Sequence, residues 1–290
     1  TDLVFASSSR LFTAFLGYRL SKKSKSPLYL DVRDIFVDTM LDVLKPSIFK
    51  PLIILVLKKI EKKTFNHAEH INLISEGFKE YFSNFRCINF SFFSNGIDEE
   101  FLQVDNSLIK TKIKDTKLII YAGNIGEGQG LHKIVPQTAK ILGKEFTFLI
   151  YGDGGAKIKL QKEIDYLKIE NVILKDPISR TELKTIYNNG DYLFLHLNDY
   201  SAFKKVLPSK IFELATYPKT ILAGVSGYSS HFINNEVTNS FVFDPCDVSS
   251  LVNFLKNDKS LNQIDRIKFK DRYRRYSINK KMSTNIIKYL

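Results

Sequence analysis

From residue 117 onward, short apolar runs recur at intervals that leave room for a helix between them. "KLIIYAG", "FTFLIYGDG", "NVILKD", "YLFLHL", "KTILAG" and "SFVFDP" are largely apolar and end at or near Gly, Asp or Pro. A run that is apolar at consecutive positions is buried on both faces, as a parallel sheet covered by helices above and below requires. This part of the chain therefore reads as a Rossmann-like α/β unit. The first hundred residues repeat the rhythm more loosely, with "LVFASSS", "LYLDVRD", "HINLIS" and "CINFSFF" as strands and helices expected over 9–23 and about 46–65. A further helix is expected around 248–257, followed by a long basic segment with no strand signal.

The turn "SNGID" at 94–98 carries Asn-Gly punctuation and marks a domain junction. The expected organisation is a partial N-terminal Rossmann-like domain over 1–97, a C-terminal Rossmann-like domain over 98–262, and a C-terminal helix over 263–290 packing back on the N-terminal domain. The chain opens "TDLVFASSS", without Met and directly in a strand-like run, which reads as a piece whose start is missing. No repeat of solenoid length and no low-complexity tract is present.

Composition narrows the class. With 290 residues, 44% hydrophobic and 26% charged, the chain is globular and large enough for two lobes. The apolar run "LIILVL" is far short of the roughly 20 residues that span a bilayer. Two cysteines, Cys87 and Cys246, stand far apart without metal-like spacing, which fits a reducing cytoplasm. The net charge is +12 and uneven, with 11 Lys/Arg against three Asp over 256–290 and six Lys against one Glu over 45–63. Such surfaces attract phosphates, whether of nucleic acid, lipid headgroups or a phosphorylated substrate, and a plain lysine-rich solvated surface has the same composition.

Three stretches carry candidate chemistry. "YAGNIGEGQG" follows a strand and precedes the helix "LHKIVPQTAKIL"; Gly123, Gly126, Gly128 and Gly130 would let backbone amides approach a bound group at a helix N-terminus. The same glycines also suit an ordinary tight turn. Their spacing is not the dinucleotide pattern, which disfavours a NAD enzyme. "YGDGG" is a second strand-to-helix turn, with Gly152, Asp153 and Gly154, in which Asp153 is a helix cap or a ligand contact.

The third stretch is "VLPSKIFELATYPKTIL" (206–222). Pro208 suits the first turn of a helix and Ser209 its free amides. Lys210 opposes the helix dipole there unless an anion lies between them. Glu213, three residues on, faces the same side. The two form a simple ion pair, or Lys210 meets a phosphate while Glu213 accepts hydrogen bonds from two vicinal ribose hydroxyls.

Taken in order, these pieces resemble the retaining glycosyltransferases of the GT-B fold, in which two Rossmann-like domains face a cleft. "SNGID", "YAGNIG", "YGDG", "LPSKIFELA" and "EKKTFNHAEHINLIS" are each similar to a family segment, and together they cover most of the chain. "DVRD" (31–34) and "PSK" resemble the WbuB-like group of bacterial surface-polysaccharide transferases, which includes N-acetyl-fucosamine transferases.

The resemblance implies transfer of a sugar from a nucleoside diphosphate donor, UDP-linked, to a glycan or polyprenyl-diphosphate-linked acceptor with retention. No obligatory metal is implied, and no Asp-X-Asp triplet occurs to hold a divalent ion. Glu213 matches the second glutamate of the family's Glu-seven-residues-Glu motif, which holds the donor ribose. The first place is Lys205. The Arg and Lys that clamp the diphosphate in many members correspond to Asn124 and Gln129, so Lys210, with Lys205, would replace that charge. The donor set implied by the resemblance also includes Ile178. Arg33 stands where many relatives place a His near the reacting sugar, with Asp34 beside it as a less favoured general base.

Two further expectations follow. The helix "PSIFKPLIILVLKKIEKK" interleaves apolar and Lys residues, which suits peripheral contact with the inner face of a cytoplasmic membrane, or a buried helix with a solvated lysine tip. The glycine-rich loop that usually opens a complete acceptor domain is absent. A truncated, non-catalytic nucleotide-sugar-binding or partner protein is the rival reading. Nucleic-acid binding would need aromatic platforms beside the basic stripe, a pattern found only in "DRYRRY".

Overall fold

The computed structural model describes residues 1–44, 47–87, 89–103, 116–258 and 264–290. The chain divides into two compact units. The first comprises Thr1–Gly96, Tyr200–Leu207 and Arg275–Leu290; the second comprises Ile97–Asp199 and Pro208–Arg274.

The first unit is built on a parallel sheet, β1 (Val4–Ser8), β2 (Leu28–Val32), β3 (His70–Leu73) and β4 (Phe90–Ser91), ordered β1-β2-β3-β4. All five residues of β2 and all four of β3 are buried, the signature of strands covered on both faces. Leu30, Ile71, Phe78 and Phe82 centre its core. The helix expected over 9–23 runs Leu11–Ser24, because Arg10 is still extended. The helix expected from about 46 runs Lys50–Phe65, with Pro51 in its first turn, where a missing N–H is tolerated.

The helix Arg275–Ile287 and the residues after it belong to this unit. Tyr29 Oη donates to Asn285 Oδ1 at 2.9 Å, and His70 bonds Tyr289 Oη through Nδ1 at 2.7 Å and Ser91 Oγ through Nε2 at 2.8 Å. Burial holds the His70 pKa down to about 4, so the ring is neutral.

The second unit carries six parallel strands: β5 (Lys117–Ala122), β6 (Phe146–Tyr151), β7 (Val172–Lys175), β8 (Tyr192–His196), β9 (Thr220–Gly224) and β10 (Ser240–Phe243). Their order is β10-β9-β8-β5-β6-β7. The chain moves outward from β5 through β6 and β7, then returns to the other side of β5 for β8. The switch therefore lies between β5 and β8, where the following loops diverge and leave a crevice. Helices Leu131–Leu142, Lys157–Tyr166 and Val248–Asn257 pack side by side over the core around Ile119, Phe148 and Phe194.

The segment from 263 is not one helix. Ile267–Arg272 belongs to the second unit, where Phe269 and Tyr273 pack on Phe212 and Phe232. The helix ends at Tyr273, whose carbonyl accepts from Ile97 N at 2.7 Å. Just before it, buried Arg266 donates to the carbonyls of Tyr217, Lys219, Thr238 and Asn239. Aromatic packing and this guanidinium thus tie 264–274 to one core, while Asn285 and Tyr289 bind the other.

Candidate functional site

The loops after β5 and β6 are built on each other. Gly123 N donates to Tyr151 O at 2.9 Å, Ile125 N to Asp153 O at 2.7 Å, and Ala156 N to Ile125 O at 2.9 Å. Their approach is so close that a Cβ added at Gly152 would lie 1.9 Å from Gly123 O. Glycine is thus a steric requirement at 152.

The rest of the first loop is held from β8. Asn198 N donates to Gly128 O at 2.8 Å and Asn198 Nδ2 to Glu127 O at 2.9 Å. Gly130 turns at φ 60° against the Asn198 side chain. His196 spans from Gln129 O (Nδ1, 2.6 Å) to Cys246 N (Nε2, 2.9 Å). Cys246 N–H must donate, so Nε2 accepts and Nδ1 carries the proton; burial lowers the pKa to about 4 and keeps the ring neutral. The loop leads into the helix Leu131–Leu142, whose N-cap, Gly130, provides no side-chain cap for the first-turn amides.

Inside the loop, Gln129 Oε1 accepts from Asn124 Nδ2 at 2.8 Å and from Gly126 N at 3.2 Å. Two of the residues singled out from the sequence therefore bond to each other and fold the loop. Asp153 caps no helix: Lys157–Tyr166 starts after Ala156, without a side-chain cap.

Beyond the carboxyl ends of β5 and β6 lies a cleft of about 340 Å³. Gly123, Asn124, Gly152, Asp153, Ile178 and Lys210 are among the residues that line it, together with Tyr151, Pro177 and Leu183. Ile178 and Leu183 flank the start of the helix Arg180–Asn189, which Ser179 and Glu182 close with a reciprocal capping box.

Lys210 opens the short helix Lys210–Leu214. Its Nζ donates to both Glu213 carboxylate oxygens at 3.1 Å. Pro208 and Ser209 lie just before the helix, and Ser209 does not cap it. Ser209 already has helical dihedrals, so its hydroxyl is not directed back at the amides, and its carbonyl accepts from Phe212 N instead. Ile211, Phe212 and Leu214 are buried and anchor this turn, leaving Glu213 19% exposed. Tyr187 and Tyr217 lie beneath it. Burial first, then the Glu213 charge, raises both phenol pKa values, and among the described residues neither hydroxyl has a hydrogen-bond partner of standard geometry.

Arg33, Asp34 and Lys205 belong to the first unit. Arg33 Nε donates to Asp31 Oδ2 at 3.0 Å and to Ser7 Oγ at 3.1 Å, while Arg33 Nη1 donates to Asn95 Oδ1 at 3.2 Å. Asp31, 2% exposed, also accepts from Ser7 and Asn72, so the arginine is aimed by a saturated carboxylate. Asp34 is held above the usual carboxylate range by burial, against which Thr39 Oγ1 donates at 3.3 Å. Lys205 pairs with Asp38, and its carbonyl accepts from Ser75 Oγ at 2.7 Å. It is not among the residues lining the cleft.

Two cations beside these loops escaped the sequence reading. Lys133, in the first turn of Leu131–Leu142, donates to Asn198 Oδ1 at 2.9 Å. It opposes a helix dipole just as Lys210 does, so the same signal was available. Arg180 pairs with Glu100 and Asp98, and Glu213 also acts on it. Only the fold brings 98, 100, 180 and 213 together.

Comparison with known proteins matches residues 105–273 to the family model "Glycosyl transferases group 1". A protein of Escherichia coli (strain K12) described as a colanic acid biosynthesis glycosyl transferase, WcaI, is 33% identical over 95 residues, which span 33% of this chain and 23% of that one. Among solved structures, HepE of Anabaena in complex with UDP-glucose matches with a TM-score of 0.78 at 14% identity over 99% of this chain and 79% of that one. Sucrose-phosphate synthase from Thermosynechococcus elongatus matches at 0.79, with 12% identity over 99% of this chain and 73% of that one. The lipopolysaccharide outer core galactosyltransferase WaaB matches at 0.66, with 15% identity over 99% and 76%. At these identities the structural likeness establishes the fold: two Rossmann-like units of the GT-B class. The family model covers more than half of the sequence, and on that match the chain belongs to the group 1 glycosyl transferases.

Proposed function

We propose that the chain transfers a sugar from a UDP-linked donor to a glycan or polyprenyl-diphosphate-linked acceptor, with retention and without an obligatory metal, in bacterial O-antigen or capsule assembly at the inner face of the cytoplasmic membrane. The observation that carries this reading is the Lys210–Glu213 pair beside a cleft at the carboxyl ends of β5 and β6. Glu213 has two acceptor oxygens for vicinal ribose hydroxyls. Lys210, in the cleft wall, supplies the cation for the diphosphate, and glycines at 123 and 152 let the backbone approach. Arg33, oriented by Asp31, serves a leaving phosphate or an acceptor pyrophosphate, and Asp34 is the second-choice base. Complexes of HepE with UDP and UDP-glucose, and the colanic acid role in the name of WcaI, support the donor and polysaccharide readings.

Calorimetry with UDP, GDP and UDP-sugars on the wild type and Glu213→Ala tests it. Heat with UDP, lost in the variant, is expected. Absence of nucleotide heat in the wild type sinks the donor site, and unchanged UDP affinity in the variant removes Glu213 from it. The neutral Asn124–Gln129 pair favours a second reading, nucleotide-sugar binding without turnover. Acceptor-dependent release of UDP separates the two.

A further inference from the structure

The helix Lys50–Phe65 buries one side and leaves the other open along its whole length. Ile54, Leu57, Glu61, Thr64 and Phe65 are in the core. Opposite them, Leu52 (61% exposed), Leu55, Val56, Lys59, Lys62 and Lys63 follow one another at helical spacing. The exposed face is thus graded: large apolar side chains over its first half, lysines over its second. From Leu52 to Lys63 it spans roughly 16 Å at 1.5 Å per residue.

The neighbouring helix Leu11–Ser24, packed against it, repeats the gradient. Phe12, Leu16 and Leu20 are exposed at i, i+4 and i+8, and Arg19, Lys22 and Lys23 are exposed at its end. Between the two helices lies a cavity of about 650 Å³, lined by Phe15, Tyr18, Lys59, Lys62, Lys63 and His67 among others. Among the described residues, Lys59, Lys62 and Lys63 make no ion pair.

No described helix is long and apolar enough to cross a membrane. An exposed apolar face is a recognition surface, and a basic end selects its partner by charge. A helix that grades from apolar to basic matches the boundary between acyl chains and anionic headgroups, where apolar side chains enter and lysines remain at phosphate level.

We propose that this two-helix face docks the first unit on an anionic lipid surface, with Leu52 and Val56 entering the acyl boundary and Lys59, Lys62 and Lys63 meeting lipid phosphates. The proposal uses residues of the first unit alone, so it stands or falls separately from the donor site.

Sedimentation with vesicles of phosphatidylcholine, with and without phosphatidylglycerol, tests it. The chain pellets with the anionic vesicles and is released by salt. Lys59→Glu/Lys62→Glu/Lys63→Glu weakens that binding roughly a hundredfold or more, and Leu52→Glu/Val56→Glu weakens it at every salt concentration. All five side chains are exposed, so circular dichroism of the variants should match the wild type; if one variant does not fold, the other decides. Equal binding to neutral and anionic vesicles overturns the proposal, as does indifference to both sets of substitutions. Release by inorganic phosphate, but not by chloride at equal ionic strength, also overturns it, because the cavity then takes a free anion. A dimer that Leu52→Glu/Val56→Glu dissociates, with no vesicle binding, assigns the face to a second copy instead.

Discussion

Asn124 Nδ2 donates to Gln129 Oε1 at 2.8 Å, so the loop after β5 is closed by two uncharged amides. A diphosphate at this loop would meet backbone amides and the end of a helix, but no cation from these two positions. Gln129→Lys is therefore expected to raise UDP affinity about tenfold, the scale of one charge-assisted contact, and to steepen its salt dependence. Uridine affinity should hardly move. Calorimetry of both ligands across ionic strength checks this; parallel changes for uridine and UDP would place position 129 away from the phosphates.

Lys210 contributes a charge that the amide pair does not. Lys210→Ala should weaken UDP roughly 10- to 100-fold, in line with about 1.5–3 kcal/mol for a hydrogen bond to a charged group. Uridine should weaken much less, since the ribose ligand remains. Equal loss for both would mean that the lysine only orients Glu213.

Gly152 tests the architecture of the cleft. In Gly152→Ala the new methyl would lie 1.9 Å from Gly123 O and 3.4 Å from the Ile125 side chain. Backbone must move, at roughly 3 kcal/mol by the scale of overpacking plus strain. The expected result is a lower urea midpoint and loss of UDP binding. Wild-type stability in this variant would show that the loops are not in this contact.

Glu61 predicts a pH dependence. Burial, opposed by the 2.6 Å hydrogen bond from Tyr81 and reinforced by Asp38, raises its pKa from 4.5 to about 7. The folded state holds the proton more tightly than the unfolded chain. Its contribution is therefore complete below about pH 4.5 and is lost as pH rises to about 7. Glu61→Gln keeps an acceptor for Tyr81 and removes the ionisation, so it should stabilise the protein at pH 8 by on the order of 2–3 kcal/mol relative to pH 4.5. His70 runs the other way: lowered to about 4, it contributes stability that is lost as pH falls from about 6.5 to 4. Urea unfolding of Glu61→Gln and His70→Asn across pH 4–8 separates the two slopes. An unchanged profile in Glu61→Gln would show that its carboxyl titrates normally.

The strands were legible because a parallel strand buried on both faces has to be apolar at nearly every position. "YLFLH" and "TILAG" became β8 and β9, with all their residues buried. The glycine turns were legible for a similar local reason: where two backbones come within hydrogen-bond distance, only glycine fits. The Lys210–Glu213 contact followed from helical spacing alone.

What escaped was long-range. Lys205 lies five residues before Lys210, yet it falls in the unit that contains Asp38 and Ser75. Ser209 and Asp153 have the chemistry of helix caps, but backbone dihedrals and loop pairing direct them elsewhere. The basic tail looked uniform from 263 to 290, and only packing divided it, with Phe269 in one core and Tyr289 against His70 in the other. Hydrophobic period, glycine placement and i,i+3 charge spacing are written in neighbouring residues, so the chain alone specified two α/β units, the loops and the carboxylate of the candidate site. Partners such as Asn95 for Arg33, Asn198 for Lys133 and Glu100 for Arg180 lie far along the chain. Their pairing depends on which strands become neighbours and which side chains lose water together, and that was decided only by tertiary packing.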